Sequence, residues 1–246
     1  MKLNKHNTKS KLFVALFNIY SKFIQLLLLP ILLFESRSYK FNKINERPIE
    51  YSFLLKHLCQ IYPEHILDVG SGKSALPTLL ANCGFKVTAT DKKGIYWQSK
   101  YFNRHYHIIK DDVKNSKLTK KFDFINCISV LEHIPDYNKA VAGMFNLLKP
   151  NGYLLLSFPY NKDQYIPNVY ELEGAGYGHN SYICQVFSQK EVNNWLHRNN
   201  GKIVEQKYYK IFNGDFWTFG NRIYPPYQVD KEYNPHLTCV LIQKVK

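Results

Sequence analysis

The chain has 246 residues, enough for one large domain or two small ones with a buried core. Hydrophobic residues make up 45% and charged residues 21%, which excludes whole-chain disorder. Lys and Arg outnumber Asp and Glu by 33 to 19, a net +14 that suits an anionic partner (nucleic acid, phospholipid or a phosphorylated substrate) or simply a solvated basic surface.

Residues 1–11 carry Lys2, Lys5, Lys9 and Lys11 and no acid, and an apolar stretch follows from 12 to 34. A membrane-spanning helix needs ~20 mostly apolar residues, so the length fits. Asn18, Lys22 and Gln25 interrupt it, and on a helix they gather with Lys11 on one narrow face, away from Phe13, Leu16, Phe17, Phe23, Ile24 and Leu27. That arrangement suits a helix lying in a membrane interface. Pro30 is expected to kink or end it. A spanning anchor, a helix packed over the domain and a signal peptide are the competing readings, the last disfavoured by the cofactor need argued below. Residues 1–45 are thus read as an N-terminal helical segment and 46–246 as a separate domain.

Beyond residue 61, short apolar runs alternate with helical segments. Strands are expected at 66–69, 86–90, 107–109, 122–128 and 153–158, and helices at 75–83, 95–102 and 137–148. Such alternation implies parallel βαβ units in an open doubly wound sheet. A helix over 188–199 opens on Ser188 with Glu191 three residues later, the pattern of a capping box. Strands at 202–212 and 237–245 follow with no helix between, so they are expected to pair antiparallel at one sheet edge. The five cysteines (Cys59, Cys83, Cys127, Cys184 and Cys239) are all more than four residues apart, which reads as free buried thiols in a reducing compartment.

Gly72-Lys73-Ser74 has the ending of a P-loop, but the glycine needed five residues earlier is Leu67, inside a strand. Gly70-x-Gly72-x-x-Ala75, with Asp91 beyond it, also fits a dinucleotide turn or an ordinary strand-to-helix turn.

A longer constellation accounts for more residues. It comprises Asp68 before Gly70-Ser71-Gly72, Asp91 closing the second strand, and Asp111-Asp112-Val113 closing the third. It continues with Leu131-Glu132-His133-Ile134 after the fourth strand and Leu148-Lys149-Pro150-Asn151-Gly152 before the fifth. Together these resemble the class I S-adenosylmethionine-dependent methyltransferases, closest to the subgroup containing ubiquinone-biosynthesis O-methyltransferases. The resemblance covers about 60–246. It implies a Rossmann-like, seven-stranded, mostly parallel α/β sheet with an antiparallel C-terminal strand, preceded here by the apolar N-terminal helix.

The implied cofactor is S-adenosylmethionine. Gly70 and Gly72 let the backbone turn and approach it, with Ser71 between them. Asp68 is a suitable anion for its ammonium, and Asp91 can accept from ribose hydroxyls. Asp112, favoured over Asp111, would by resemblance accept from the adenine amine, with Val113 against the ring. Ser129 and Leu131 would line the cofactor. Ser74 stands where the family usually has a third glycine, and can cap the following helix.

His133, past the fourth strand, is the candidate base for a hydroxyl acceptor, or else a structural histidine bonded to backbone. Glu132, His133 and His179 resemble part of the metal site of small-RNA 2′-O-methyltransferases. Ser129 replaces that family's first glutamate, so no metal is expected. The segment 159–187, with Tyr160, Tyr177 and His179, is the expected acceptor-side loop. In 213–234, Phe216, Trp217, Phe219, Tyr224, Pro225, Pro226 and Tyr227 form either a lid or a local minicore. The expected acceptor is small or lipid-linked, with nucleic acid second. The expected location is cytoplasmic, peripheral on or anchored to the inner face of a membrane through 12–34. A catalytically silent binding module and a nicotinamide enzyme are the competing classes.

Overall fold

The computed structural model describes residues 8–38, 45–92, 106–176 and 182–245. The helix expected at 95–102 and the residues Tyr177 and His179 lie outside them. The chain divides into two compact units, Met1–Asn45 and Glu46–Lys246.

The first unit is a helix, α1 (Thr8–Ser38), with Pro30 inside it. The expectation that Pro30 could end the helix is corrected. A proline removes one N–H and crowds the carbonyl one turn back, a local cost of ~3 kcal/mol. The leucines on either side, strong helix formers, carry the helix past it. Phe13, Leu16, Phe17, Phe23 and Leu27 are each more than half exposed. By length and composition, 13–31 can cross a bilayer: its 19 residues at ~1.5 Å each approach the ~30 Å hydrocarbon core.

The second unit runs α2 (Arg47–Ile61), β1 (His65–Val69), α3 (Leu76–Asn82), β2 (Lys86–Asp91), β3 (Ile108–Lys110), β4 (Phe122–Ile128), α4 (Tyr137–Leu147), β5 (Leu148–Pro159), α5 (Gln189–Asn199), β6 (Gly201–Phe212), β7 (Arg222–Val229) and β8 (Leu237–Lys244). The strands form one sheet in the order β3-β2-β1-β4-β5-β8-β6-β7. The first five are parallel; β8 runs antiparallel to β5, β6 to β8, and β7 to β6.

Alternation along the central strands sends their side chains to two layers. Ile66, Phe124, Leu155 and Leu241 meet Phe53, Leu54 and Leu58 of α2 and Leu76 and Leu80 of α3. Leu67, Ile125, Leu154, Leu156 and Val240 meet Val141, Met144 and Phe145 of α4 and Val192 and Trp195 of α5. Helix α5 begins as expected, with the reciprocal Ser188–Glu191 capping box.

Two features differ from the sequence expectations, and one open alternative is decided. Strand β7 makes eight strands, one more than expected, and places the sheet edge at β7 instead of the β6–β8 pair. Its Pro225 and Pro226 mask it in the sequence, and an edge strand tolerates them where their missing N–H faces away from the ladder. Trp217, Phe216 and Phe219 join Ile211, Phe212 and Leu237 in a third small core, while Tyr224 and Tyr227 stay exposed. Finally, all five thiols are free but two are not buried: Cys59 lies on the solvent face of α2 and Cys83 at the C-cap of α3.

The segment after β3 is held by close packing. A Cβ on Gly143 of α4 would sit 1.9 Å from the Val113 carbonyl oxygen, which is rigid backbone. Gly143→Ala is therefore expected to destabilise the fold by about 2 kcal/mol despite alanine's better helix propensity. Urea unfolding measures this, and an unchanged midpoint would refute the close approach.

Candidate active site

The carboxyl ends of β1, β2 and β4 converge on the loop after β1. Its backbone is turned by Gly70 and Ser71, whose amides both donate to the Thr90 carbonyl, at 2.8 and 3.0 Å. Gly70 has φ +76°, and a Cβ there would lie 2.4 Å from Val130 Cγ1, so the loop needs glycine for both its conformation and its contact with the segment after β4. Gly72, at φ +49°, donates its N–H to Asp91 Oδ2 at 2.9 Å. A Cβ on Gly72 would meet that carboxylate at 3.9 Å, an ordinary contact, with nothing nearer among the described residues outside its immediate neighbours. A nucleoside with vicinal hydroxyls fits such a place, since one acid can accept from both.

Asp68 is buried beneath the loop. Its carboxylate accepts from Ser71 Oγ at 2.5 Å and from Asn126 Nδ2. Burial pushes its pKa up to about 6, against the pull of those bonds. Asp68 therefore shapes the loop from below, a role not read from the sequence. The sequence reading also missed Asn126, whose only signal was a polar residue inside an otherwise apolar strand.

The two acids after β3 separate cleanly. Asp111 accepts from the Lys117 amide at 2.9 Å and holds its own turn. Asp112 caps the following 3-10 turn through the Lys114 amide at 3.1 Å and pairs with Lys92 Nζ at 3.1 Å. Burial acts to raise the Asp112 pKa, but these donors outweigh it and hold it below the ordinary range. Val113 is buried behind it. Ser74 accepts from the Leu76 amide at 3.0 Å and so helps to start α3, and it also meets the Tyr51 hydroxyl at 3.1 Å.

After β4 the chain makes a left-handed step at Ser129 (φ +47°) and enters the 3-10 turn Leu131–His133. His133 Nδ1 lies 2.7 Å from the Ile183 carbonyl oxygen. A carbonyl can only accept, so Nδ1 carries the proton and Nε2 the basic lone pair. Burial lowers the His133 pKa and keeps the ring neutral near pH 7. Tyr182 stands edge-on to the ring at 5.0 Å.

Glu132 is buried, with Oε1 3.8 Å from His133 Nε2. Its Oε2 has no hydrogen-bond partner among the described residues. Burial pushes its pKa up to about 8. Gln185 fastens this turn, its backbone and side-chain amides donating to the Glu132 carbonyl and its side chain also to that of Ile134. No group of three His, Cys, Asp or Glu among the described residues is placed to hold a metal.

The side chains of two further expected site residues are buried. Tyr160 is 1% exposed, with its hydroxyl on Gln189 Oε1 at 3.2 Å and its ring against Tyr208, so it belongs to the core instead of facing an acceptor. Leu131 is likewise fully buried and packs instead of lining an open site. Both follow strand ends where an apolar side chain has core within reach, and neither signal is visible in one sequence.

The mostly parallel sheet, this glycine turn, the acid closing β2 and the acid-capped turn after β3 agree with the expected S-adenosylmethionine-dependent methyltransferase class. The chain belongs to that class through the methyltransferase domain family, whose model matches residues 40–206. Similar curated proteins include the ubiquinone biosynthesis O-methyltransferases of Albidiferax ferrireducens, 28% identical over 47% of this chain and 48% of that protein, and of Coxiella burnetii, 29% identical over 55% and 57%. The chain thus spans about half the length of the curated relatives it matches. Among solved structures, the Burkholderia thailandensis 1,6-didemethyltoxoflavin-N1-methyltransferase with bound S-adenosylhomocysteine aligns with a TM-score of 0.53 at 17% identity, over all of this chain and 94% of that one. Coclaurine N-methyltransferase aligns at 0.55 and 13%, over 84% and 76%. Likeness at such identities concerns the fold.

Proposed function

We propose that this protein transfers a methyl group from S-adenosylmethionine to an oxygen of a small or lipid-linked acceptor, with His133 taking the acceptor's proton. The observation that carries this reading is the His133 tautomer: Nδ1–H is spent on the Ile183 carbonyl, which leaves Nε2 basic on a ring that burial keeps neutral. Bound S-adenosylmethionine supplies an electrophilic methyl group, so the protein's task is mostly to position the two reactants.

Gly70, Ser71 and Gly72 form the cradle, with Asp68 shaping it from beneath. Asp91 accepts from the ribose, and Asp112 with Val113 borders the base. Ser129 lies beside the cradle, and Tyr182 forms a wall next to His133. The similar ubiquinone enzymes support an oxygen acceptor with a lipid portion. So does α1, whose exposed apolar residues 13–31 suit contact with a membrane. His179 remains a candidate on the acceptor side from its sequence position alone.

The test incubates the full chain and His133→Gln with radiolabelled S-adenosylmethionine and extracted membrane lipids. Labelled lipid should form with the native chain and fall by ~100-fold or more in the variant, while S-adenosylhomocysteine still binds both. Binding without label in any lipid or phenolic fraction would favour the silent-module reading.

A further inference from the structure

Helix α2 buries residues 50, 53, 54, 57 and 58, a continuous stripe at helical spacing. Three of these are apolar, but Glu50 is fully buried and faces the carboxyl ends of β4 and β5. A buried carboxylate is costly unless its oxygens are bonded. Here they are. Oε1 accepts from Ser129 Oγ and from Ser157 Oγ, both at 2.6 Å, and Oε2 accepts from Arg47 Nη1 at 2.7 Å. The same guanidinium nitrogen reaches the Ile128 carbonyl at 3.4 Å.

An apolar residue would dock α2 on the sheet with no such demand. The acid does something a leucine cannot: it grips the hydroxyl of Ser129, which steps into the left-handed region directly after β4, where a side chain other than glycine is disfavoured. Ser157 ties the same point a second way, since its carbonyl and Oγ accept from the Ser129 amide at 3.1 and 3.2 Å. The 3-10 turn that aims His133 begins two residues later.

We propose that Arg47 and Glu50 are positioning residues for methyl transfer, a clamp from α2 that holds Ser129 in its left-handed step and so aims His133. This rests on the methyltransferase reading above. Arg47 and Glu50 lie outside every motif of the cofactor site and far in sequence from the residues they hold: Glu50 is 79 residues from Ser129 and 107 from Ser157.

The test exploits glycine, which takes φ +47° without a side-chain anchor. The His133 ring is followed by nitrogen-correlated NMR in the full chain, its signals assigned from their loss in His133→Gln. The wild type should show a single Nδ1–H tautomer. Ser129→Ala, which loses the hydroxyl and keeps the Cβ, should lose that single-tautomer pattern. Ser129→Gly, which loses the hydroxyl too, should keep it. Glu50→Ala should behave like Ser129→Ala, and adding Ser129→Gly to it should restore the pattern.

A clamp that merely stabilises the fold would not be rescued by glycine. Equal disturbance in Ser129→Ala and Ser129→Gly, or undisturbed signals in Ser129→Ala, would overturn the proposal. The Ser129 pair decides the matter even if Glu50→Ala does not fold. S-adenosylhomocysteine titrated into the wild type separately tests the reading on which the clamp depends.

Discussion

Asp91→Ala is expected to weaken S-adenosylhomocysteine binding by at least ~100-fold while the protein remains folded. A hydrogen bond to a charged acceptor contributes about 1.5–3 kcal/mol, and two ribose hydroxyls on one carboxylate make a loss of two decades or more. The carboxylate also receives the Gly72 amide at 2.9 Å, so its removal loosens the turn that approaches the nucleoside. Asp91 is only partly buried, at the end of β2, so its loss leaves the core intact. Asp91→Asn keeps one oxygen acceptor and should fall between the two. Calorimetry on the full chain decides this. Affinity within threefold of wild type in Asp91→Ala would remove the acid from the site and reopen the question of which ligand the glycine turn holds. Tighter binding of a nicotinamide dinucleotide would answer it in favour of the oxidoreductase class.

The parts of this site that were legible in the sequence share a property: each is local. A glycine turn, an acid at a strand end and a histidine after a strand are fixed by a few neighbouring residues, and so are the short buried strands between them. What was not legible depends on partners brought together by folding. Helix α2 is an example. Its buried stripe is regular, but Glu50 and His57 are two of its five members, so by hydropathy the segment reads as mixed and charged. Its meaning appears only once Ser129 and Ser157 are beside it.

Strand β7 hid for a different reason. Pro225 and Pro226 argue against a strand wherever both edges are paired, and position at the sheet edge is a property of the whole topology. Asp68 was found for its charge and its place before the glycines. Its bonds to Ser71 and Asn126, which brace the glycine loop from beneath, could not be inferred.

Glu132 and His133 carry the second large prediction, because burial moves their pKa values in opposite directions and past each other. The acid is raised from its ordinary 4.5 to about 8 and the base is lowered. A carboxyl group with a raised folded-state pKa contributes stability that is fully present below its unfolded value and is lost as pH rises through the folded one. Glu132 should therefore cost the fold progressively more between pH 4.5 and pH 8. At roughly 1.4 kcal/mol per pKa unit, a rise from 4.5 to about 8 makes the full penalty on the order of 5 kcal/mol.

Glu132→Gln removes that penalty because it never ionises. It introduces an amide, at a cost of about 1–2 kcal/mol for any donor left unbonded. The variant should thus be slightly less stable than wild type at pH 5 and about 3 kcal/mol more stable at pH 9. Chemical denaturation across that range would show the two stability curves crossing. Parallel curves would mean that Glu132 already carries its charge throughout, most simply as a carboxylate facing a protonated His133. In that case His133 could not accept a proton from a hydroxyl near neutral pH, and the base of the proposed transfer would have to be sought elsewhere.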